Sequence, residues 1–115
     1  MSEKKFFIPG DAIRRLVPSS LSCFATDRIM VDGMDVRYMY REEPRRPSDS
    51  GWCFFAGDEA DDYANNPANI GMYTINTVAN YDPDIIPYLQ TQAPCAFEKI
   101  PGTPEYERVE DPPTE

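Results

Sequence analysis

Residues Asp49–Leu89, DSGWCFFAGDEADDYANNPANIGMYTINTVANYDPDIIPYL, decide the fold. Ser50-Gly51 signals a turn, and Trp52 to Ala56 follow as a short apolar run. A run this short, aromatic and bounded by Gly51 and Gly57, predicts a strand buried on both faces rather than a helix. It stops at Gly57-Asp58-Glu59-Ala60-Asp61-Asp62. Carboxylates this dense cannot all be buried without partners, so the strand must deliver the chain to the surface there. Beyond it, Glu59 to Tyr63 predicts one helical turn capped by Asp58, and Asn65-Asn66-Pro67 ends it. Ile70 to Tyr73 is a short apolar piece. Thr74 to Tyr81 predicts a helix with Ile75, Val78 and Ala79 on one side and Thr74 or Asn76 as its cap. Asp84 to Leu89 adds one further turn with Ile85, Ile86 and Leu89 inward.

Working outward towards the N-terminus, Asp32-Gly33 separates Leu21–Val31 from Met34–Tyr40. That spacing predicts a β-hairpin. Alternation in the second arm puts Val36, Tyr38 and Tyr40 on one face. Thr26-Asp27-Arg28 interrupts the first arm as a kink or bulge. Asp11 predicts a cap for a brief helix over Ala12–Leu16, and Arg41 to Ser50 reads as an exposed loop. On the other side, Cys95 to Ile100 alternates as a strand. Residues 101–115 are proline-rich and acidic, the composition of a disordered tail. The expected organisation is a lead-in and short helix over 1–20, an α+β domain over 21–100, and that tail. Its fold class is a single α+β domain: a mostly antiparallel sheet of four or five strands, with short helices on one side. Trp52, Phe54, Gly51, Gly57 and Gly71 are its expected structural residues.

The formal net charge is -9 over 115 residues, and the isoelectric point is about 4.4. Residues 1–50 hold nine Lys/Arg against eight Asp/Glu, and residues 51–115 hold two against twelve. A field of that sign repels phosphate backbones and argues against nucleic-acid binding. It favours a basic protein partner, through steering. No histidine is present, so the usual general acid–base group at neutral pH is missing. The acids at Asp58 to Asp62 do not make an EF-hand loop, because the glycine precedes them and the closing position falls on Asn69. Cys23, Cys53 and Cys95 are odd in number and widely spaced, which argues against zinc and for a reducing compartment. No run approaches the roughly 20 apolar residues of a membrane span. These features predict a non-enzymatic, cytoplasmic protein without cofactor or metal.

Several of these pieces together resemble a bacterial family. MYREEP (Met39–Pro44), DSGWCFFAGDE (Asp49–Glu59), NPANIGMY (Asn66–Tyr73), NTVANYDPDIIPYL (Asn76–Leu89) and AFEK (Ala96–Lys99) occur in the order of the immunity-protein family catalogued as number thirty-three, formerly a domain of unknown function. The resemblance covers roughly Ser22 to Lys99. It implies an α+β fold and a non-catalytic role in a polymorphic-toxin system, binding and occluding a cognate toxin domain. On that reading, the partner-binding residues are expected to be Asp58, Glu59, Asp61, Asp62, Asp82 and Asp84, with Tyr63 and Tyr81 as aromatic anchors. Two alternatives stand beside it. One is a small carboxylate-based enzyme or metal-binding module. The other is a stand-alone protein with no toxin partner.

Overall fold

A computed structural model describes residues 5–109. The tryptophan run is its longest strand, β3 (Asp49–Phe55). Beside β3 lie β1 (Ser22–Thr26) and β2 (Tyr38–Arg41); β4 (Ile70–Thr74) closes the edge next to β1. On the far side β5 (Cys95–Lys99) and β6 (Tyr106–Val109) follow β2, giving six strands in the order β4-β1-β3-β2-β5-β6. β1 runs parallel to β3, and all other pairs are antiparallel. Three short helices, α1 (Asp27–Met30), α2 (Asp61–Ala64) and α3 (Ile75–Tyr81), short 3-10 turns over Gly10–Ala12 and Pro67–Asn69, and a longer 3-10 turn over Pro83–Tyr88 complete the architecture. The class is α+β, as the patterning predicts, with one or two more strands than expected.

Alternation along the strands sorts the side chains onto two faces. Cys23, Ala25, Met39, Trp52, Phe54, Cys95 and Phe97 point to one side and are buried. Ile75, Val78 and Ala79 of α3 and Ile85 and Leu89 of the following turn join them in the core. Trp52 is fully enclosed, stacked on Phe54 at 5.8 Å between ring centroids, and its Nε1 donates to the Leu89 carbonyl at 3.2 Å. Arg41 covers that ring, 5.7 Å from its centroid, and donates to the carbonyls of Ser50, Leu89 and Thr91. The second face is not covered in the same way: Cys53 and Phe55 are only half-buried, so β3 is not buried on both sides.

Gly51 and Gly57 adopt left-handed backbone that favours glycine. Gly51 has φ +85°, and a Cβ there would collide with the Glu42 carbonyl oxygen. Gly51 lies inside β3, its carbonyl accepting from Glu42 N at 3.0 Å, so Ser50-Gly51 is part of the strand and not the turn its sequence signals. Gly57, at φ +93°, turns the chain out of β3.

The Asp32-Gly33 hairpin does not form. Asp27 to Met30 coil into α1 instead, and Gly33, at φ +79°, donates to the Ile29 carbonyl at 3.0 Å to finish the helix. Ile29 and Met30 are adjacent and both fully buried. A helical turn allows that beside a one-sided sheet, whereas strand alternation would expose one of them. The short N-terminal helix is also absent. A 3-10 turn over Gly10–Ala12 leads into an extended segment, whose backbone is held by amide side chains of α3. Asn76 Oδ1 accepts from the amides of Leu16 and Val17 at 2.7 and 2.9 Å, and Asn76 and Asn80 both donate to the Arg14 carbonyl. Thr74 caps α3 as expected, accepting from Thr77 N at 3.2 Å.

The proline-rich end is not all tail. β6 forms within it because Tyr106 is drawn into the core, 6% exposed, where its hydroxyl donates to the Val36 carbonyl at 2.6 Å. Residues 110–115 lie outside the described residues.

Candidate partner-binding face

The acidic segment is shaped by Glu59, which serves as its internal anchor. Its carboxylate accepts from Thr26 Oγ1 at 2.6 Å, Ala56 N at 2.8 Å and Gly57 N at 2.9 Å. That arrangement ties the end of β3 to the end of β1. Asp58 does not cap α2. It receives two hydrogen bonds from Arg28, Nη2 at 2.6 Å and Nε at 3.3 Å, while Arg28 Nη1 reaches Asp32 at 2.8 Å. The Arg28 hydrogen bonds hold the Asp58 carboxyl below its ordinary value. Asp58 is therefore a paired group at the surface. Asp61 and Asp62, in the first turn of α2, are exposed, and Asp62 Oδ1 accepts from the neighbouring Tyr63 amide at 2.9 Å.

Asp82 departs most from the sequence expectation. It is 4% exposed. Its Oδ2 accepts from Lys99 Nζ at 2.8 Å and from Val36 N at 3.0 Å, and its Oδ1 accepts from Asp84 N at 3.1 Å. Burial would lower the Lys99 pKa, but the hydrogen bonds to Asp82 and Asp84 outweigh it and hold the ammonium above its ordinary value. Asp82 thus fastens the chain entering the 3-10 turn to β5 and is not a surface contact. Asp84 shares the same lysine at 3.1 Å and is partly exposed. Tyr81 is half-buried and its hydroxyl is used within the chain: it accepts from Ile8 N at 3.0 Å and donates to the Met30 carbonyl at 3.1 Å, pinning the N-terminal segment. Tyr63 is half-buried in α2, and its carbonyl accepts from Asn69 Nδ2 at 3.1 Å. The structure therefore keeps Asp58, Glu59, Asp61, Asp62 and Tyr63 together on one corner. It separates Asp82 and Tyr81 from that corner's solvent-facing surface.

That corner borders the less covered face of the sheet. Tyr38, Tyr40 and Phe55 cluster there, with ring centroids 5.8 to 6.1 Å apart. Phe24 and Met72 lie across β1 and β4 and are 39% and 54% exposed. Two adjoining hollows occupy this face. One, of about 440 Å³, is lined by Phe24, Tyr40, Cys53, Phe55, Ala64 and Ile70 among others. The second, of about 560 Å³, runs past Tyr38, Tyr40 and Phe55 to Glu59, Asp61 and Glu98, with Arg37 and Lys99 also on its wall. The alternation of Met34–Tyr40 does put Tyr38 and Tyr40 on one face, but that face is the open one. Met39, between them, is the core residue, and Val36 is buried beyond the strand. Whether an aromatic face looks inward or outward depends on which side the helices cover, and strand alternation carries no record of that.

Cys53 sits in the first hollow. Burial and nearby acids push its thiol up to about 11, even though Tyr40 hydrogen-bonds to it. A thiol so shifted stays protonated at neutral pH and is a poor nucleophile. Among the described residues, no three Cys, Asp or Glu side chains gather in a way that could hold a metal ion. No helix among them is long and apolar enough to cross a membrane.

A model of the immunity protein Imm33 domain matches residues 23–110. The chain belongs to the Imm33 family. The match runs from β1 through β6, so all of the sheet but Ser22 falls within the Imm33 domain. No curated protein and no solved structure matches.

Proposed function

We propose that this Imm33 protein neutralises a cognate protein toxin in the cytoplasm by binding and occluding it, without catalysis. Membership of an immunity-protein family carries the reading. Asp61 and Asp62, exposed at the start of α2 beside Tyr63, are its electrostatic contact, while Asp58, paired with Arg28, and Glu59, bonded to Thr26, Ala56 and Gly57, hold that corner in shape. Acid concentrated there raises the encounter rate with a basic surface more than it deepens the final affinity. No disulfide joins Cys23, Cys53 or Cys95, which suits a reducing compartment.

Stopped-flow mixing with an inactivated toxin domain, chosen because the chain protects bacteria co-expressing its active form, tests this. The association rate is expected to fall at least tenfold between low salt and about 0.5 M salt, where screening shortens the reach of charge to a few ångström. Asp61→Asn combined with Asp62→Asn is expected to slow association and flatten that salt dependence, while leaving dissociation nearly unchanged. Association at one rate across the salt range would refute the electrostatic contact.

A further inference from the structure

The open face of the sheet differs in chemistry from the acidic corner beside it. Register places Met72, Phe24, Cys53, Tyr40 and Ala96 side by side across five strands. The neighbouring row carries Phe55, Tyr38, Glu98 and Glu107. Aromatic and thioether surface thus grades into carboxylates within one face. Strand cations point the other way: Arg41, Lys99 and Arg108 share rows or bonds with the core side. Arg41 is bound to Ser50, Leu89 and Thr91, Lys99 to Asp82 and Asp84, and Arg108 to the Pro94 carbonyl. Arg37, at the end of the face, donates its Nε to the Ala56 carbonyl at 2.8 Å.

Such a surface has a definite complement. The faces of Tyr and Phe rings are electron-rich and attract cations, and nearby carboxylates strengthen that attraction. Exposed Phe24 and Met72 favour apolar contact. A second copy of the chain would set carboxylates against carboxylates on a molecule of formal charge -9, and nucleic acid would meet the same repulsion.

We propose that this sheet face is the docking floor for a basic protein partner. It seats an arginine or lysine over Tyr38 and Tyr40, and an apolar side chain against Phe24 and Met72. The inference rests on the immunity reading for the identity of the partner, not for the chemistry of the face.

The test has two arms. In the first, the full chain with ¹³C-labelled methionine methyls and tyrosine rings is titrated with an acetylated Arg-Leu-Arg-Leu-Arg-Leu peptide and with its Glu-for-Arg counterpart. Met72, Tyr38 and Tyr40 are expected to shift saturably with the arginine peptide only, while buried Met30 and Met39 stay still. Met72→Arg, at an exposed position that should preserve folding, is expected to weaken the titration at least tenfold. Equal response to both peptides, or shifts elsewhere on the molecule, would overturn the proposal. In the second arm, an inactivated toxin domain that the chain neutralises is measured against Tyr40→Ala and Met72→Arg. Truncating a central aromatic contact is expected to weaken binding about thirtyfold. Unchanged affinity would reject this face while leaving neutralisation intact. Failure to protect against any toxin domain would reject the immunity reading, with the peptide arm still deciding the face. A dimer in sedimentation that Met72→Arg dissolves would assign the face to a second copy and overturn the proposal.

Discussion

Replacing Asp82 with alanine is expected to destabilise the protein by about 3–5 kcal/mol, the usual cost of removing one partner from a buried ion pair. Asp82 is 4% exposed and Lys99 only 10% at the side chain, so water cannot take over the lost bonds. The substitution also strands the Val36 and Asp84 amides, which both donate to this carboxylate. Asp84→Ala removes one bond from a carboxylate 37% exposed and is expected to cost under about 1 kcal/mol. Urea denaturation of the two variants checks the contrast. Equal losses would mean that Asp82 is not the fastening between the 3-10 turn and β5. The pH dependence follows from the raised Lys99 pKa. Its contribution is fully present below the ordinary value of 10.5 and is lost as pH climbs through the higher folded value. Asp58 behaves in the opposite sense. Its small, exposed contribution is present above 3.8 and is lost as pH falls through the lowered folded value. Added salt should weaken the Asp58–Arg28 pair and leave the buried pair largely intact.

Trp52→Ala is expected to cost about 3–5 kcal/mol, the range for emptying a large aromatic site in a core. The ring is fully buried, stacked on Phe54, and within 6.5 Å of Phe97 between centroids. Its removal leaves Arg41 without the ring it covers and takes the Nε1 donor from the Leu89 carbonyl. Because this is the only tryptophan, its emission reports the core directly. Wild-type fluorescence should be blue-shifted and resist quenching, and should change little when a partner docks on the opposite face. Strong acrylamide quenching in the native protein, or a loss under about 1 kcal/mol in Trp52→Ala, would contradict the packing described here.

The sequence revealed these elements unevenly, and the reasons are physical. β3 and α3 were legible because local signals agree with tertiary demand: the aromatic run ends in glycines, and Thr74 caps a segment whose apolar residues recur at helical spacing. The hairpin was not legible. Asp32-Gly33 carries equal local meaning as a strand turn or a helix end, and only the buried pair Ile29 and Met30 decides between them. β6 was hidden by composition, since Pro101, Pro104 and the acids outweigh the single core residue Tyr106. Asp82 and Asp58 sit in equally acidic sequence, yet one is sealed against Lys99 from a distant strand and the other pairs with Arg28 at the surface. Long-range pairing of that kind leaves no local trace. Tyr38 and Tyr40 were correctly placed on one face, but which face stays open depends on α1, α3 and the 3-10 turn all settling on the other.

The central claim is that recognition uses the acidic corner and the aromatic sheet face, while the helical side only supports them. Hydroxyl-radical footprinting of the complex with an inactivated toxin domain tests it most directly. Phe24, Tyr38, Tyr40 and Met72 should lose reactivity on binding, and Phe6, Phe7 and Leu16, exposed outside that face, should keep theirs. Protection of Phe6, Phe7 and Leu16, with the sheet-face residues unchanged, would contradict the account.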